Sequence, residues 1–232
     1  MKNDAGTLAI AMTTAPRRAP TLHRALSSLR QAGFNERVHM FAEPGTWDQV
    51  SRPKDARTTT IDHATPRGCF VNWRHALQHL LTRTTASWLL IVQDDAIWGP
   101  GAAHTLRATA AARQKLRTGF LSPYVATNMV PPGSVDGWNE CRLGWDYCGA
   151  LALCIPRSAA KDLMQHRRFV KHLAKHRMNQ QVDAVVGASM LELGRPSYVH
   201  VPSLVDHIGM TSTLGHDDVA TWVRGYRFGE KL

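Results

Sequence analysis

Trp88-Leu-Leu-Ile-Val-Gln-Asp-Asp-Ala96 is the stretch on which the reading of this chain turns. Trp88 to Val92 is an unbroken apolar run with no helical repeat, so it predicts a buried strand. The strand ends in two adjacent carboxylates, Asp94 and Asp95. In open α/β sheets ligands bind beyond the carboxyl ends of the strands. Two hard oxygen donors on one backbone turn suit Mg²⁺ or Mn²⁺ carrying a phosphate. Asp residues also close turns by bonding their own backbone, so the neighbours must decide between the two readings.

Upstream, Thr7 to Met12 reads as a first buried strand, and Thr13 to Pro20 as a turn rich in hydroxyls and prolines. Thr21 stands as an N-cap before a helix whose buried face is Leu22, Ala25, Leu26 and Leu29, and Gly33 ends it. Val38 to Ala42 predicts a second strand ending at Glu43, and Thr58 to Ile61 a third ending at Asp62-His63. After a break at Pro66-Arg67-Gly68, with Asn72 near its start, Trp73, Ala76, Leu77, Leu80 and Leu81 mark a helix that feeds the Trp88 strand. Strands alternating with helices predict an α/β fold with a mainly parallel central sheet.

Downstream, Gly99-Pro100-Gly101 opens an Ala-rich helix running to about Leu116, and Gly119 to Val125 predicts a strand. Residues 126–146 carry Pro, Gly, Asn and Trp without periodicity and read as a long functional loop. Asp146 to Pro156 predicts a strand entered through Gly149, Ser158 to Arg177 a basic helix, and Asn179 to Leu193 a helix with Asp183 in its first turn. Pro196 to Val201 reads as a last strand, followed by Val205-Asp-His207-Ile-Gly209 and a tail of no strong pattern.

At 232 residues the chain is long enough for one large α/β domain, and 44% hydrophobic with 20% charged residues is ordinary for a soluble globular protein. No apolar run reaches the length of a membrane span, and Met1-Lys-Asn-Asp lacks the apolar core of a signal peptide, so a cytoplasmic protein is expected. Cys69, Cys141, Cys148 and Cys154 lack CxxC spacing and read as reduced thiols; the last three lie close enough in sequence to leave a metal site open.

The charge is distinctive. With 28 Lys and Arg against 18 Asp and Glu, the net charge is +10, which favours a polyanionic or phosphate-rich partner, although basic proteins also carry charge for solubility. No acidic residue falls between Ala96 and Val135, where Arg107, Arg113, Lys115 and Arg117 stand, and the 158–177 helix is heavily basic.

Taken in order, these stretches resemble the GT-A class of nucleotide-sugar glycosyltransferases, from about Leu8 to Gly215. Ala11 to Arg17, with Thr13, Thr14, Pro16 and Arg17, is similar to the first-strand loop that receives the nucleotide; Glu43, and Arg67-Gly68 followed by Asn72, fall where further donor contacts lie. Gln93-Asp94-Asp95 stands in the place of the metal motif, with Gln93 where an acid is usual. Gly149-Ala-Leu-Ala resembles the strand lining the donor sugar, Gln181-Val182-Asp183 the element bearing the base of inverting members, and Val205 to Gly209 the segment supplying a late histidine.

The resemblance implies a GT-A type Rossmann-like three-layer sandwich in one domain, with a nucleotide-binding half (1–125) and a half for donor sugar and acceptor (126–232). It implies Mn²⁺, or Mg²⁺, on Asp95, Asp94 and His207, with Asp94 sharing the metal or holding ribose. Thr13, Thr14, Pro16, Arg17, Glu43, Arg67, Asn72, Asp94 and Gly149 would bind the donor, expected to be a UDP-sugar, and Asp183 would be the base of an inverting hexosyl or pentosyl transfer. The divalent ion would stabilise the diphosphate leaving group as a Lewis acid. Taken on residue type alone, Asp183 is equally an ordinary first-turn carboxylate, and His207 a satisfied buried histidine.

Basic charge without an anchor favours DNA bearing hydroxymethylated pyrimidines as acceptor, as in viral DNA modification, in which case the location is the host cytoplasm. Lipopolysaccharide or capsule synthesis is the alternative, and a non-enzymatic DNA-binding module a further one. Trp138, Trp145, Tyr147 and Tyr124 are available to stack on a base or sugar, or to form the loop's own small core.

Overall fold

The computed structural model describes residues 6–141, 149–175, 182–208 and 224–229. The elements in order are β1 (Leu8–Thr14), α1 (Leu22–Gln31), β2 (Val38–Ala42), α2 (Thr46–Gln49), β3 (Thr58–Asp62), α3 (Cys69–Arg83), β4 (Trp88–Gln93), β5 (Ala96–Trp98) and α4 (Ala102–Ala112). After them come β6 (Leu121–Ser122), a 3₁₀ turn at Thr127–Met129, β7 (Gly137–Cys141), β8 (Ala152–Pro156), α5 (Arg157–Gln165), α6 (Arg167–Lys175), α7 (Val182–Glu192), β9 (Ser197–Val201) and β10 (Val205–His207).

The pleat sorts side chains to two faces with a period of two. Ile10, Met12, Trp88, Leu90 and Val92 point to one face and pack with Leu22, Leu26 and Leu29 of α1 and with Leu106 of α4. Ala9, Ala11, Leu89 and Ile91 point to the other and meet Phe70, Trp73 and Leu77 of α3, Leu163 of α5 and Val185 and Met190 of α7. Both faces of the sheet are therefore covered, giving three layers. Burial of each large apolar side chain contributes about 1.5–3 kcal/mol before chain entropy is counted. This two-sided demand is why β4 is apolar throughout rather than alternating.

The main sheet runs in the order β3-β2-β1-β4-β8-β6-β9-β7. The neighbours β3, β2, β1 and β4 are all parallel, and β6 is parallel to β9, whereas β8 is antiparallel to both β4 and β6 and β7 is antiparallel to β9. The expected mainly parallel sheet is present. Chain order reverses between β1 and β4, since β2 and β3 are added on one side of β1 and β4 on the other. Such a reversal opens a crevice at the carboxyl ends of the strands.

Several local expectations change. The 126–146 loop contains the 3₁₀ turn and the edge strand β7, whose polar sequence Gly-Trp-Asn-Glu-Cys is extended by pairing with β9 (Trp138 opposite His200) rather than by its own pattern. The 119–125 strand shrinks to Leu121–Ser122, with Pro123 next in line and unable to donate to a ladder. Thr21 makes no side-chain cap; its carbonyl accepts the Ala25 N–H at 3.0 Å. The Ala-rich helix stops at Ala112. As far as Lys175, where the described residues stop, the basic 158–177 segment is two helices, broken where His166 is extended.

The charge is also more balanced than the sequence implied. Arg107 forks onto Glu36, Arg168 pairs with Glu192, and the Arg113 guanidinium stacks 3.6 Å from the Tyr198 ring centre. Tyr124 is buried in the core and Trp138 meets His200 edge to face, so both serve packing; Trp145 and Tyr147 lie outside the described residues. No helix among the described residues is long and apolar enough to cross a membrane.

Candidate active site

At the β1–β4 reversal the carboxyl ends of the strands continue as a row of backbone bonds. Asp94 N–H donates to Thr13 C=O at 3.1 Å, Glu43 N–H to Thr14 C=O at 3.0 Å, and His63 N–H to Ala42 C=O at 3.0 Å. Polar side chains that the sequence spreads from position 13 to position 95 are thereby aligned along one edge.

Asp94 and Asp95 are both nearly sealed from solvent, at 2% exposure each. Asp94 Oδ2 accepts from the Thr14 hydroxyl at 2.6 Å. Its Oδ1 accepts from Arg17 Nε at 2.9 Å and Nη2 at 2.7 Å. Arg17 also reaches Asp95, with Nη1 2.9 Å from Oδ2. That same Asp95 oxygen lies 3.0 Å from His207 Nε2. Asp95 Oδ1 and His207 Nδ1 are buried without a hydrogen-bond partner.

The electrostatics follow from these contacts. Burial works against a charged Asp95, but the His207 hydrogen bond and the Arg17 charge outweigh it and hold the carboxyl below its usual range. Burial together with the neighbouring Asp95 charge pushes Asp94 the other way. Burial opposes the Arg17 charge too, yet Asp95 and Asp94 raise its pKa, so the guanidinium stays protonated.

His207 arrives through a ribbon that the sequence did not disclose. β5 and β10 pair antiparallel, with His207 opposite Ala96, and Ile208 N–H donates to Asp95 C=O at 3.0 Å. Behind the ribbon, the buried Asp206 accepts from Arg224 Nε at 3.0 Å and from Gly225 N–H at 2.8 Å. Gly225 packs so closely that a Cβ there would run into the Val205 carbonyl and would lie 3.0 Å from Ser203 Oγ.

Glu43 closes the β2 side. Its Oε2 accepts the Arg67 N–H at 2.7 Å, while Oε1 is buried without a partner. The Arg67 side chain is exposed. Gly68, with φ of +75°, turns the chain into α3 through a conformation that side chains disfavour. On the first turn of that helix Asn72 spans His63 Nε2 (3.0 Å) and the Phe41 carbonyl (3.2 Å), tying α3 to the ends of β2 and β3.

Asp183 begins α7. Its Oδ1 accepts from the Ala184 N–H at 3.0 Å, and the backbone N–H groups of Ala150 and Gly149 also point to it. Burial outweighs these donors and raises its pKa. Cys69 connects the two carboxylate centres: burial, with Asp183 and Asp95 as neighbouring charges, pushes its thiol up to about 12. Gln93 links them differently, because its Nε2 donates to the Ala150 carbonyl at 3.3 Å. The acid usual at that position in the resembled class lacks a donor for this bond when ionised.

No family profile and no curated protein matches the sequence. Among solved structures the fold is similar to a crystal structure of GalNAc-T7 with UDP, GalNAc and Mn²⁺, with a TM-score of 0.62 at 9% identity. The alignment covers 87% of this chain and 43% of that one, so this chain spans less than half the length of its structural neighbour. The chain has the GT-A fold.

Within this GT-A sheet, Thr14, Arg17, Asp94, Asp95 and His207 are in direct contact, Glu43 meets Arg67, and Gly149 meets Asp183. Thr13 contributes its carbonyl to the edge, and Pro16 precedes Arg17 in the β1–α1 loop. Gln181 and Gly209, which belong to the resembled motifs, lie outside the described residues. Among the described residues no group of three or more His, Cys, Asp and Glu is arranged to hold a metal. The pair Asp95 and His207 nevertheless suits Mn²⁺ or Mg²⁺ at a site completed by substrate phosphates, since such ions take few protein ligands. Their unpartnered buried atoms are of the kind that a bound ion satisfies.

Sequence reading named Cys69 only as a thiol and Asp206 only as part of the Val205 to Gly209 segment, and it missed Arg224.

Proposed function

We propose that this protein is a glycosyltransferase that moves a sugar from a nucleoside diphosphate donor to a hydroxyl acceptor with the help of a divalent cation. The observation that supports this reading best is the contact of Asp95 with His207 at the β1–β4 reversal of a GT-A sheet. The Mn²⁺ and UDP bound in the GalNAc-T7 structure accord with it by analogy. Asp95 and His207 would hold Mn²⁺ or Mg²⁺, and Asp94 would hold Arg17 in place between Thr14 and Asp95. When bound, the ion supplies Lewis-acid stabilisation of the leaving diphosphate.

The chain's own residues account for the remaining tasks. Thr13, Thr14, Pro16, Arg67 and Asn72 line the nucleotide side of the edge. Glu43 Oε1, an acceptor in want of a donor, suits the N3–H of uracil or the N1–H of guanine; cytosine and adenine offer no ring N–H there. Gly149 leaves room for the donor sugar. Asp183 is the base: it takes the proton of the acceptor hydroxyl as that oxygen bonds to the anomeric carbon and the bond to the diphosphate breaks, inverting the configuration. Burial raises its pKa above the ordinary carboxylate range, which makes it a stronger base once ionised.

For the acceptor, the net charge of +10 and the exposed Arg167 and Lys171 on α6 favour a polyanion, with DNA carrying hydroxymethylated pyrimidines as the specific candidate. Duplex binding that fails to weaken steeply with added salt excludes it. The functional reading itself is tested by hydrolysis of UDP- and GDP-sugars with Mn²⁺, comparing wild type with Asp95→Ala. Turnover confined to wild type is expected; silence of both proteins across the panel overturns the reading.

A further inference from the structure

Arg17 stands where an incoming ion would have to compete. Asp95 Oδ2 already serves both Arg17 Nη1 (2.9 Å) and His207 Nε2 (3.0 Å). A divalent ion on Asp95 would face a guanidinium within one hydrogen-bond length of its ligand, and the two cations repel. The guanidinium, at 13% side-chain exposure, has little water to screen that repulsion.

The arrangement lets one contact break while the others persist. The Arg17 backbone is pinned, following Pro16 and with its N–H donating to Gln49 Oε1 at 2.6 Å. Nε and Nη2 both meet one oxygen, Asp94 Oδ1, while the Thr14 hydroxyl steadies the other, so the rigid planar guanidinium can tilt about that single oxygen without leaving Asp94. Only Nη1 spans to Asp95. A shallow cleft, open to solvent and lined by Thr14, Pro20, Thr21, Thr46 and Gln49, adjoins the side chain. The Thr21 hydroxyl there is buried without a partner.

We propose that Arg17 is a latch on Asp95, closed in the free protein and opened when a nucleoside diphosphate offers its phosphate to the guanidinium, so that ion and nucleotide load as a linked pair and the ion alone binds poorly. The proposal rests on the reading of Asp95 and His207 as the ion's ligands. In the exchange the ion takes the place of Nη1 on Asp95, and a phosphate oxygen takes the place of Asp95 on Nη1. No covalent bond changes, and the charge removed from one partner is returned by the other.

Calorimetric titration with Mn²⁺, with and without UDP and with no sugar present, tests this independently of turnover. Wild type is expected to bind Mn²⁺ weakly alone and much more tightly with UDP. Arg17→Gln is expected to bind Mn²⁺ alone at least tenfold tighter than wild type and to lose most of the gain from UDP, while Asp95→Asn binds it in neither condition. If Asp95→Asn abolishes binding but Arg17→Gln leaves the affinity for Mn²⁺ alone unchanged or weaker, the latch is overturned and the ligand assignment stands. If Asp95→Asn binds like wild type, the assignment falls and the latch with it. Should Arg17→Gln fail to fold, the ¹⁵N–¹H signal of Arg17 Nε in wild type, assigned by its loss in Arg17→Lys, gives the answer. Mg²⁺ alone is expected to leave it in place and Mg²⁺ with UDP to shift it; movement with Mg²⁺ alone, or none with both, overturns the latch.

Discussion

His207 Nε2 lies 3.0 Å from Asp95 Oδ2, and the backbone enforces the approach twice, through the pairing of His207 with Ala96 and through the Ile208 N–H on the Asp95 carbonyl. Replacing His207 by Ala should therefore remove a ligand without moving Asp95. The expected result is at least a tenfold loss of Mn²⁺ affinity in the presence of UDP, read by calorimetry, with an unchanged melting temperature. A large fall in melting temperature with metal affinity intact would make His207 a structural residue.

For Asp183, Asn keeps the shape and removes the basicity. Transfer should drop by about 10²–10⁴-fold while UDP binding persists. In wild type the raised pKa of Asp183 sets the acid limb of the rate profile. Transfer should rise with pH through a value above the ordinary carboxylate pKa of about 3.9, because the base works only once ionised. A limb at or below the ordinary value, or full transfer by Asp183→Asn, would point to a different base or to a retaining mechanism.

Gln93 donates to the carbonyl of Ala150, whose own N–H faces Asp183. Gln93→Glu replaces that donor by an anion aimed at a carbonyl oxygen. A loss of about 1–3 kcal/mol in chemical denaturation is expected, with transfer reduced more than UDP affinity. Equal stability of the two proteins would show that the bond is dispensable.

Glu43 Oε1 asks for a donor. Glu43→Gln can keep its carbonyl on the Arg67 N–H and present an amide instead, so UDP should bind about ten- to a hundredfold more weakly. CDP, whose N3 accepts, should gain relative to UDP. Competition binding of the two nucleotides measures the ratio, and an unchanged preference removes Glu43 from base recognition.

Gly225→Ala introduces a methyl against the Val205 carbonyl and Ser203. Overpacking of this kind costs about 1–3 kcal/mol. Because Val205 begins the strand that carries His207, Mn²⁺ affinity should fall along with the melting temperature.

The first half of the sheet was legible because β1, β2 and β4 are apolar runs bounded by turn residues, and α1 and α3 carry clear buried stripes. Asp95, His207 and Arg17 were legible as residue types in order, but not as neighbours. Their meeting depends on β5 and β10, each three residues long, whose pairing is decided by tertiary contact and not by pattern. β7 was missed because its residues are mostly polar and its partner, β9, lies far along the chain. The role of Asp94 as the seat of Arg17 had no local sign, since an ion pair across the β1–β4 gap is a property of the sheet order alone.

The burial of β4 on both its faces carries a final implication. Trp88, Leu90 and Val92 feed one core and Leu89 and Ile91 the other, and the strand then runs straight into Asp94 and Asp95. Parity in this strand is thus shared between folding and chemistry. Removing a single residue between Trp88 and Val92 would exchange the two hydrophobic layers and pull the carboxylates out of step with Thr14, Arg17 and His207 in the same stroke. Side chains along β4 can be exchanged for others of similar size, but its length is common property of the core and the site.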